Sequence, residues 1–226
     1  MKVNIAIDGP SGAGKSTISK QIAQMLGYTF INSGSIYRAV AYQANKHGYL
    51  LEQNNDPVQM ENILADCKIQ LLPNDITMLN GEDISRQIRS EFISKITPII
   101  AKIPRVREFV VDFIQKITLK DKGYIIDGRD TTYKIMPHAE VKVFLFADPQ
   151  IRAKRRYEQL RAMNYDITLD EVIVETKLRD EQDFHRQLDP LQRTPDSVYI
   201  DSTSMEMEEV IDKILEIVKQ KGGLSA

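Results

Sequence analysis

Residues 9–17 read Gly9-Pro10-Ser11-Gly12-Ala13-Gly14-Lys15-Ser16-Thr17, which fits the pattern G-x-x-x-x-G-K-[S/T]. The apolar run 3–7 before this stretch predicts a buried strand, and apolar residues at helical spacing after it predict a helix. Strand, glycine-rich loop and helix form the context in which this pattern binds phosphate. A plain glycine turn with a solvated lysine is the alternative, and both flanking elements argue against it.

The residue types in this loop suit a nucleoside triphosphate. Glycines let consecutive backbone N–H groups point inward at phosphate oxygens, and the helix that opens near Gly14 adds the positive end of its dipole. We expect Lys15 to reach the β- and γ-phosphates and the Ser16 hydroxyl to bind Mg²⁺. All nine residues of 9–17 are therefore candidate ATP-binding residues.

Composition sets the broad class of the protein. The chain has 226 residues, of which 42% are hydrophobic and 27% charged, as in ordinary globular proteins. A net charge of −2 argues against bulk binding to nucleic acid or to a membrane. With Cys67 as the one cysteine, no intrachain disulfide can form, and we expect a cytoplasmic protein. The three histidines are scattered, which argues against a histidine metal cluster.

Strands and helices alternate along much of the chain. Further short strands are predicted at 28–31, 124–126, 141–146 and 197–200, with helical segments between them. Such alternation is typical of an α/β fold, here a parallel five-stranded sheet with helices on both faces. Ligands of this architecture bind at the carboxyl ends of the strands, where the glycine-rich loop, Ser33 and 127–130 are expected.

The segment from 49 to about 90 has a different pattern. Asp56-Pro57 predicts the start of a helix, and the apolar runs 69–72 and 76–79 flank a turn at Pro73-Asn74-Asp75. Asn80-Gly81 predicts a second turn into a third strand. We therefore expect a small antiparallel sheet inserted into the α/β frame.

Helix boundaries in the second half follow from capping and breaking residues. The helical pattern of 90–120 is expected to break at Pro98 and Pro104. Asp148-Pro149 predicts a helix start, and 168–171 and 203–206 both fit a capping box. The last helix is expected to end at Gly222-Gly223.

Charged residues near the predicted strand ends carry the candidate chemistry. Asp127 closes an apolar strand and is a candidate ligand for hydrated Mg²⁺, although a strand-end turn would also explain it. Arginine grips phosphate bidentately, so a phosphorylated second substrate would require a clamp of this kind. Arg152, Arg155 and Arg156 share a helical face that is a candidate for such a clamp, with a solvated basic face as the alternative. Arg179, Asp183 and Arg186 share another, a candidate donor–acceptor wall for a sugar and a polar base, which spacing alone does not distinguish from a surface ion pair.

The order of these motifs resembles that of the bacterial cytidylate kinases, which are P-loop nucleoside monophosphate kinases. The resemblance covers essentially the whole chain and rests on six segments: 7–17, Ser33-Gly34-Ser35-Ile36-Tyr37-Arg38, Pro104-Arg105-Val106-Arg107, Asp127-Gly128-Arg129-Asp130, 152–157 and 179–183. It implies transfer of the γ-phosphoryl group of ATP to CMP or dCMP with Mg²⁺. It also implies one kinase domain, with a core of about 1–32, 120–152 and 190–226, a monophosphate-binding insertion of about 33–105 and a lid of about 153–175.

The resemblance also implies a role for each candidate residue. Arg38 and Arg129 would hold the acceptor phosphate, Arg179 and Asp183 would meet the sugar, and Tyr37 would also contact the substrate. The cytosine would be surrounded by Ser33, Arg107, Asp130 and Arg186. The catalytic residues would be Lys15, Arg129, Arg152 and Arg156, of which Arg152 and Arg156 would close on the transferred phosphoryl group. Ser16 and Asp127 would hold the metal.

The chain departs from the family pattern at two places. Family members usually continue G-R-D with an apolar residue and Gly-Thr, whereas this chain has Thr131-Thr132-Tyr133, which adds a Cβ and bulk near the acceptor site. Pro98 stands where the family has a nucleotide-contacting serine, with Thr97 beside it. These changes are expected to spare phosphate binding.

Three functions are compatible with these observations. The first is a monomeric (d)CMP kinase that binds neither nucleic acid nor a membrane, and the second is a kinase for UMP or another small acceptor. The third is a nucleotide-binding regulator without phosphotransferase activity. The absence of an N-K-x-D motif and the presence of acceptor-side arginines argue against the third.

Overall fold

A computed structural model describes residues 1–49, 56–72 and 75–222 of the chain. The chain divides into two compact units, Met1–Tyr28 with Thr118–Ala226, and Thr29–Ile117. The first contains the glycine-rich loop, and we call it the core unit. We call Thr29–Ile117 the second unit. The predicted roles of an insertion and a lid stay predictions.

Eight strands and eight α-helices are found in the described part of the chain. The strands are β1 Ile5–Asp8, β2 Thr29–Ile31, β3 Ile69–Leu72, β4 Ile76–Leu79, β5 Glu82–Asp83, β6 Tyr124–Gly128, β7 Val141–Phe146 and β8 Val198–Asp201. The helices are α1 Lys15–Leu26, α2 Ser33–Lys46, α3 Pro57–Ala65, α4 Glu91–Ile100, α5 Pro104–Lys120, α6 Pro149–Ala162, α7 Leu169–His185 and α8 Met207–Gln220. A 3₁₀ turn spans Gln87–Arg89 and a π-helical turn spans Thr131–Ile135.

The main sheet confirms the α/β prediction. Among the described residues it has five strands in the order β2-β6-β1-β7-β8, with β1 parallel to β6 and β7, and β7 parallel to β8. All four residues of β1 are buried, so both faces of the sheet are covered at its centre. In the core unit, α1 and α8 contact each other as well as the strands of this sheet. No helix in the described residues is long and apolar enough to cross a membrane.

The second unit contains the predicted small sheet. Strands β3, β4 and β5 are antiparallel neighbours, and Asn80, with φ of 52°, and Gly81 form the turn between β4 and β5. Asp56 caps α3 by accepting from the Val58 N–H at 2.9 Å, as the sequence predicted. Pro73 and Asn74 of the other predicted turn lie outside the described residues.

Two predicted boundaries were wrong. Pro98 lies in the last turn of α4 and does not break it. Proline removes one backbone N–H, and only two residues of the helix follow it, so the distortion affects a short segment. The break comes at 101–103, and Pro104 starts α5.

The capping box predicted at 168–171 is present, but the one predicted at 203–206 is not. Helix α8 begins at Met207, and the Glu206 N–H donates to Glu209 Oε2 at 2.8 Å. The Thr203 hydroxyl is instead bound to Asp201, at 2.5 Å. Helix α8 ends at Gln220, and Gly223 lies outside the described residues.

Candidate active site

The glycine-rich loop joins the end of β1 to the start of α1 in a conformation that requires its glycines. Gly9, Gly12 and Gly14 all have positive φ, of 153°, 78° and 88°. A Cβ on Gly9 would lie 2.0 Å from the Leu145 carbonyl oxygen, so no side chain fits there. Gly14 caps α1 in the left-handed conformation and makes no side-chain cap hydrogen bond. The first N–H groups of a helix have no partner within the helix, so they are suited to binding an anion.

Lys15 is held inside this loop. Its side chain is only 5% exposed, and Nζ donates to the Pro10 carbonyl at 2.7 Å. Burial and, next, the positive charge of Arg129 lower the pKa of Lys15 to about 7, while Asp127, Asp8 and Asp183 oppose that shift. An anionic phosphate beside Nζ would favour the charged form and raise this pKa again.

The two predicted metal ligands are in direct contact. Asp127 lies in β6, and the Ser16 hydroxyl donates to Asp127 Oδ2 at 2.7 Å. A hydroxyl and a carboxylate are oxygen donors of the kind that Mg²⁺ takes from proteins. Within the described residues no group of three or more His, Cys, Asp or Glu side chains is placed to hold a metal. A Mg²⁺ ion at Ser16 and Asp127 would therefore take its other oxygen ligands from phosphate and water, as Mg²⁺ usually does beside phosphates.

A cavity of about 430 Å³ in the core unit is lined by the loop and by positive side chains. Lys15, Ser16 and Asp127 line this phosphate cavity together with four arginines: Arg129, Arg155, Arg156 and Arg179. All of these except Arg155 had been given a specific role in the site. Arg155 was a candidate only as part of the basic helical face, and its Nη2 donates to the Ser202 carbonyl at 3.0 Å. The charge of this lining suits a polyanion.

Arg152 lies against the same loop but is buried. Its side chain is 1% exposed and donates to the Ala147 carbonyl and to the Ser11 carbonyl, both at 2.8 Å. Its Nη1 and Nη2 bind the two carboxylate oxygens of Asp180 at 2.9 and 2.5 Å. This bidentate pair joins α6, α7 and the loop. The catalytic role predicted for Arg152 stays a prediction.

Four acceptor-side candidates of the core unit form two ion pairs. Arg129 Nε donates to Asp183 Oδ2 at 2.5 Å, and Arg186 Nη2 lies 3.1 Å from Asp130 Oδ1. The predicted helical face of 179, 183 and 186 is incomplete, because α7 ends at His185 and Arg186 is its C-cap in extended conformation. From that position, Arg186 Nε donates to the Asp189 carbonyl at 2.5 Å.

Asp8 is a buried carboxylate that sequence reasoning overlooked. It ends β1, beside the loop, and accepts the backbone N–H groups of Thr131 and Thr132 at 2.9 and 2.7 Å. It also accepts the Thr132 hydroxyl at 2.7 Å. A charged residue ending an otherwise apolar strand was the available signal.

The remaining candidates belong to the second unit. Ser33 is the first residue of α2, and Arg38 lies one turn further on, with its Nη1 3.3 Å from where a Gly34 Cβ would be. Tyr37 is half-buried on the same helix, and Arg107 is half-buried in the first turns of α5. The Thr97 hydroxyl beside Pro98 donates to the Ile93 carbonyl at 2.6 Å.

Comparison with known proteins shows the family of this chain. The family model described as cytidylate kinase matches residues 5–220. The cytidylate kinase of Mycoplasmopsis synoviae (strain 53) is 51% identical over 97% of this chain and 99% of its own length. That of Mycoplasmopsis agalactiae is 47% identical over 97% of this chain and 98% of its own length. Matches of this extent cover both units.

Solved structures share the fold at low sequence identity. An uncharacterized protein from Eubacterium ventriosum superposes with a TM-score of 0.53 at 14% identity, covering 97% of this chain and 99% of that one. At that identity the likeness concerns the fold alone.

Proposed function

This chain belongs to the cytidylate kinase family, and from that premise we propose that it transfers the γ-phosphoryl group of ATP to CMP or dCMP, giving ADP and CDP or dCDP. One observation carries the proposal: in the core unit, the lysine of a phosphate loop, a hydroxyl–carboxylate pair and four arginines line one cavity. Phosphoryl transfer depends on positioning and charge neutralisation more than on covalent chemistry, and this lining suits both.

The donor triphosphate is assigned to the glycine-rich loop. The N–H groups at the start of α1 bind phosphate oxygens, and charged Lys15 neutralises the β- and γ-phosphates. A second cavity, of about 560 Å³, adjoins Gly14 and Thr17. Its lining combines apolar side chains with polar and charged ones, which suits a flat heterocycle with polar edges: Ala13, Ile18, Arg155, Glu158, Gln159, Ala162, Ser202, Met205, Glu206, Met207 and Val210. We assign the donor base to this cavity.

Ser16 and Asp127 are the residues that would hold Mg²⁺. Their oxygen atoms, 2.7 Å apart, fit the donor preference of that ion, as argued above. When bound, Mg²⁺ would supply positive charge that offsets the charge of the phosphates. Ser16 would contribute its hydroxyl oxygen to that site and Asp127 its carboxylate.

The acceptor monophosphate is assigned to the ion-paired residues of the core unit and to Ser33, Tyr37, Arg38 and Arg107. Cytosine presents an amine that donates and a carbonyl that accepts, so a carboxylate such as Asp130 and a guanidinium such as Arg186 complement it. Arg38 and Arg129 would bind the acceptor phosphate, and Arg179 and Asp183 the sugar. Uracil would present a carbonyl to Asp130, which disfavours UMP.

In the transfer step, the residues of this chain align the two substrates and neutralise the negative charge of the transferred phosphoryl group. Lys15, Arg129 and Arg156 keep positive charge beside the equatorial oxygens of the transferred group while the acceptor phosphate oxygen approaches in line. Arg152 is assigned to the same task, through its position against Ser11. Exclusion of water from this space prevents hydrolysis of ATP in place of transfer.

The test is formation of ADP from ATP and Mg²⁺ with each of CMP, dCMP, UMP and AMP in turn. We expect turnover with CMP and dCMP and at least about tenfold lower kcat/KM with UMP, as the loss of a paired hydrogen bond implies. Preferred use of UMP would favour the second function. ATP turnover that needs no acceptor would favour the regulator.

The variant Asp130→Asn tests whether this residue acts on the acceptor nucleotide and not on the donor nucleotide. We expect it to weaken CMP binding by roughly tenfold or more and to leave ATP binding within about twofold, because the lost charge faces the acceptor base. Isothermal titration calorimetry with each nucleotide measures both affinities. Equal losses for CMP and ATP would contradict the assigned role of Asp130.

A further inference from the structure

Asp8 is connected to the loop that follows β6 by three hydrogen bonds. Oδ1 accepts the Thr131 N–H at 2.9 Å, and Oδ2 accepts both the N–H and the hydroxyl of Thr132, each at 2.7 Å. Asp8 is fully buried and lies opposite Gly128 in the parallel register of β1 with β6. Hydrogen bonds to an ionised carboxylate in a buried site are among the stronger ones, so the loop is anchored where it leaves the sheet.

The anchored loop begins directly after two acceptor-side residues, Arg129 and Asp130. The Asp130 carbonyl accepts from the N–H groups of Lys134 and Ile135 at 2.8 and 3.2 Å, which closes the π-helical turn on that residue. The Asp130 side chain does not cap this turn and instead faces Arg186. The backbone placement of Thr131 and Thr132 therefore sets where the Asp130 carboxylate lies.

Two neighbouring threonines differ in what their hydroxyls do. Thr131 Oγ1 is buried and has no hydrogen-bond partner among the described residues, whereas Thr132 Oγ1 is bound to Asp8. Thr132 is 1% exposed and is not among the described residues with positive φ, so its Cβ imposes no left-handed strain. Its hydroxyl supplies a bond that a glycine at this position would lack.

We propose that the Thr132 hydroxyl is a positioning group for the acceptor site, acting through the Asp8 carboxylate to hold Arg129 and Asp130 where the monophosphate binds. This inference rests on the proposed function, because it takes that site to be the acceptor site. Without the hydroxyl, the turn keeps its two backbone bonds to Asp8 but gains freedom to shift. We expect the affinity for the acceptor monophosphate to fall, because Arg129 and Asp130 are next to the turn in sequence.

Three variants of the full chain test the proposal. Thr132→Val removes the hydroxyl and keeps the side-chain shape, Thr132→Ser restores a hydroxyl, and Thr131→Val is the matched control at a hydroxyl without a partner. We expect Thr132→Val to raise KM for CMP about tenfold and KM for ATP less than about twofold, as expected for one lost bond to a charged group. Thr132→Ser should recover most of the CMP affinity, and Thr131→Val should match the wild type.

Each alternative outcome is distinguishable. Equal KM values for CMP in the two valine variants, or equal rises in KM for CMP and for ATP, would overturn the positioning role. If Thr132→Val unfolds, Thr132→Ala takes its place beside the serine variant: a higher KM for CMP in the alanine variant than in the serine variant, with a normal KM for ATP in both, supports the role, and equal KM values for CMP overturn it.

The wild-type assay separates this inference from the proposed function. A wild type that phosphorylates a monophosphate other than CMP contradicts the proposed substrate, and the three variants are then compared with that acceptor. A wild type that uses no monophosphate overturns both.

Discussion

At the scale of single residues, the site combines burial with charge. The role proposed for Lys15 at the phosphates requires a positive charge, but burial and the charge of Arg129 lower its pKa to about 7. The folded protein solvates this cation poorly, so Lys15 without a ligand is only partly charged at neutral pH. This is a cost in stability that a bound phosphate would offset, and it is typical of residues retained for function.

Lys15→Met should stabilise the free protein, and more at low pH than at high pH. The pKa is about 7 in the folded chain and 10.5 in the reference state, so below pH 7 both states are protonated and the full burial cost is present. Between those values the unfolded state binds the proton and the folded state does not, and the free energy of unfolding of the wild type rises with pH. We expect a gain of roughly 2–5 kcal/mol at pH 6 that shrinks towards zero as pH approaches 10.

Urea unfolding of both proteins at pH 6 and at pH 9.5 measures this gain. Phosphoryl transfer by Lys15→Met should be lost at either pH. The same stabilisation at both pH values would show that the Lys15 charge is not the origin of the effect.

Gly128→Ala should destabilise the protein through one specific contact. A Cβ on Gly128 would lie 2.3 Å from Thr131 Oγ1, a short side chain with little freedom to move. We expect a cost of about 1–3 kcal/mol, as for other overpacked sites. Thr131→Ala in the same chain removes the obstructing atom, so the double variant should be more stable than the sum of the single effects implies. Denaturant unfolding of both single variants and the double variant measures this, and strict additivity would contradict the steric account.

At the scale of secondary structure, α7 connects the two halves of the core-unit site. Its last turns carry Asp180, which binds Arg152 behind the glycine-rich loop, and Asp183, which binds Arg129. Helix α7 begins at a capping box on Thr168 and packs against α6. Its placement therefore controls both the loop and the acceptor-side arginine.

The Arg152–Asp180 pair should show strong energetic coupling. Asp180→Asn leaves a buried guanidinium without its counter-charge, which should cost about 3–5 kcal/mol. The Arg152→Met and Asp180→Asn double variant should lose less than the sum of the single variants, with a coupling energy of about 1–3 kcal/mol from a double-mutant cycle. The exposed pair Glu91–Lys95, 2.7 Å apart, is the control and should couple by no more than about 0.5 kcal/mol. Equal coupling in the two pairs would mean that burial does not strengthen the first.

At the scale of the whole molecule, the candidate residues are divided between two compact units. The phosphate cavity and both acceptor-side ion pairs belong to the core unit, whereas Ser33, Tyr37, Arg38 and Arg107 belong to the second. Both nucleotides are therefore expected to stabilise the folded chain, because each binds the native state and not the unfolded one.

Thermal unfolding should report the two nucleotides separately. At about 100 times its dissociation constant, each of Mg²⁺–ATP and CMP should add about 2.7 kcal/mol, or roughly 5–10 °C in Tm for a chain of this size. Lys15→Met should lose most of the shift caused by ATP and keep the shift caused by CMP, each measured against its own ligand-free Tm. An undiminished ATP shift in that variant would contradict the assignment of Lys15 to the phosphates.

Patterns among neighbouring residues were sufficient to predict much of the secondary structure of this protein. The glycine-rich loop between strand and helix, the α3 cap at Asp56 and the capping box at Thr168 all follow from neighbouring residues, and the structure confirms them. The five-stranded sheet was predictable because strands alternating with helices pack in few ways. The two wrong predictions also had local causes. Pro98 lies close to the end of α4, and the Thr203 hydroxyl binds Asp201 and does not cap α8.

The sequence by itself determined the elements of this protein and the phosphate loop, because helical spacing, turns and caps act over a few residues. Only the tertiary structure decided which charged and polar groups meet. Asp8 and Thr132 are 124 residues apart, and Arg152 and Asp180 are 28 apart. Such pairs depend on which strands and helices become neighbours, and the sequence around either partner is the same whether its side chain is buried against the other or solvated at the surface.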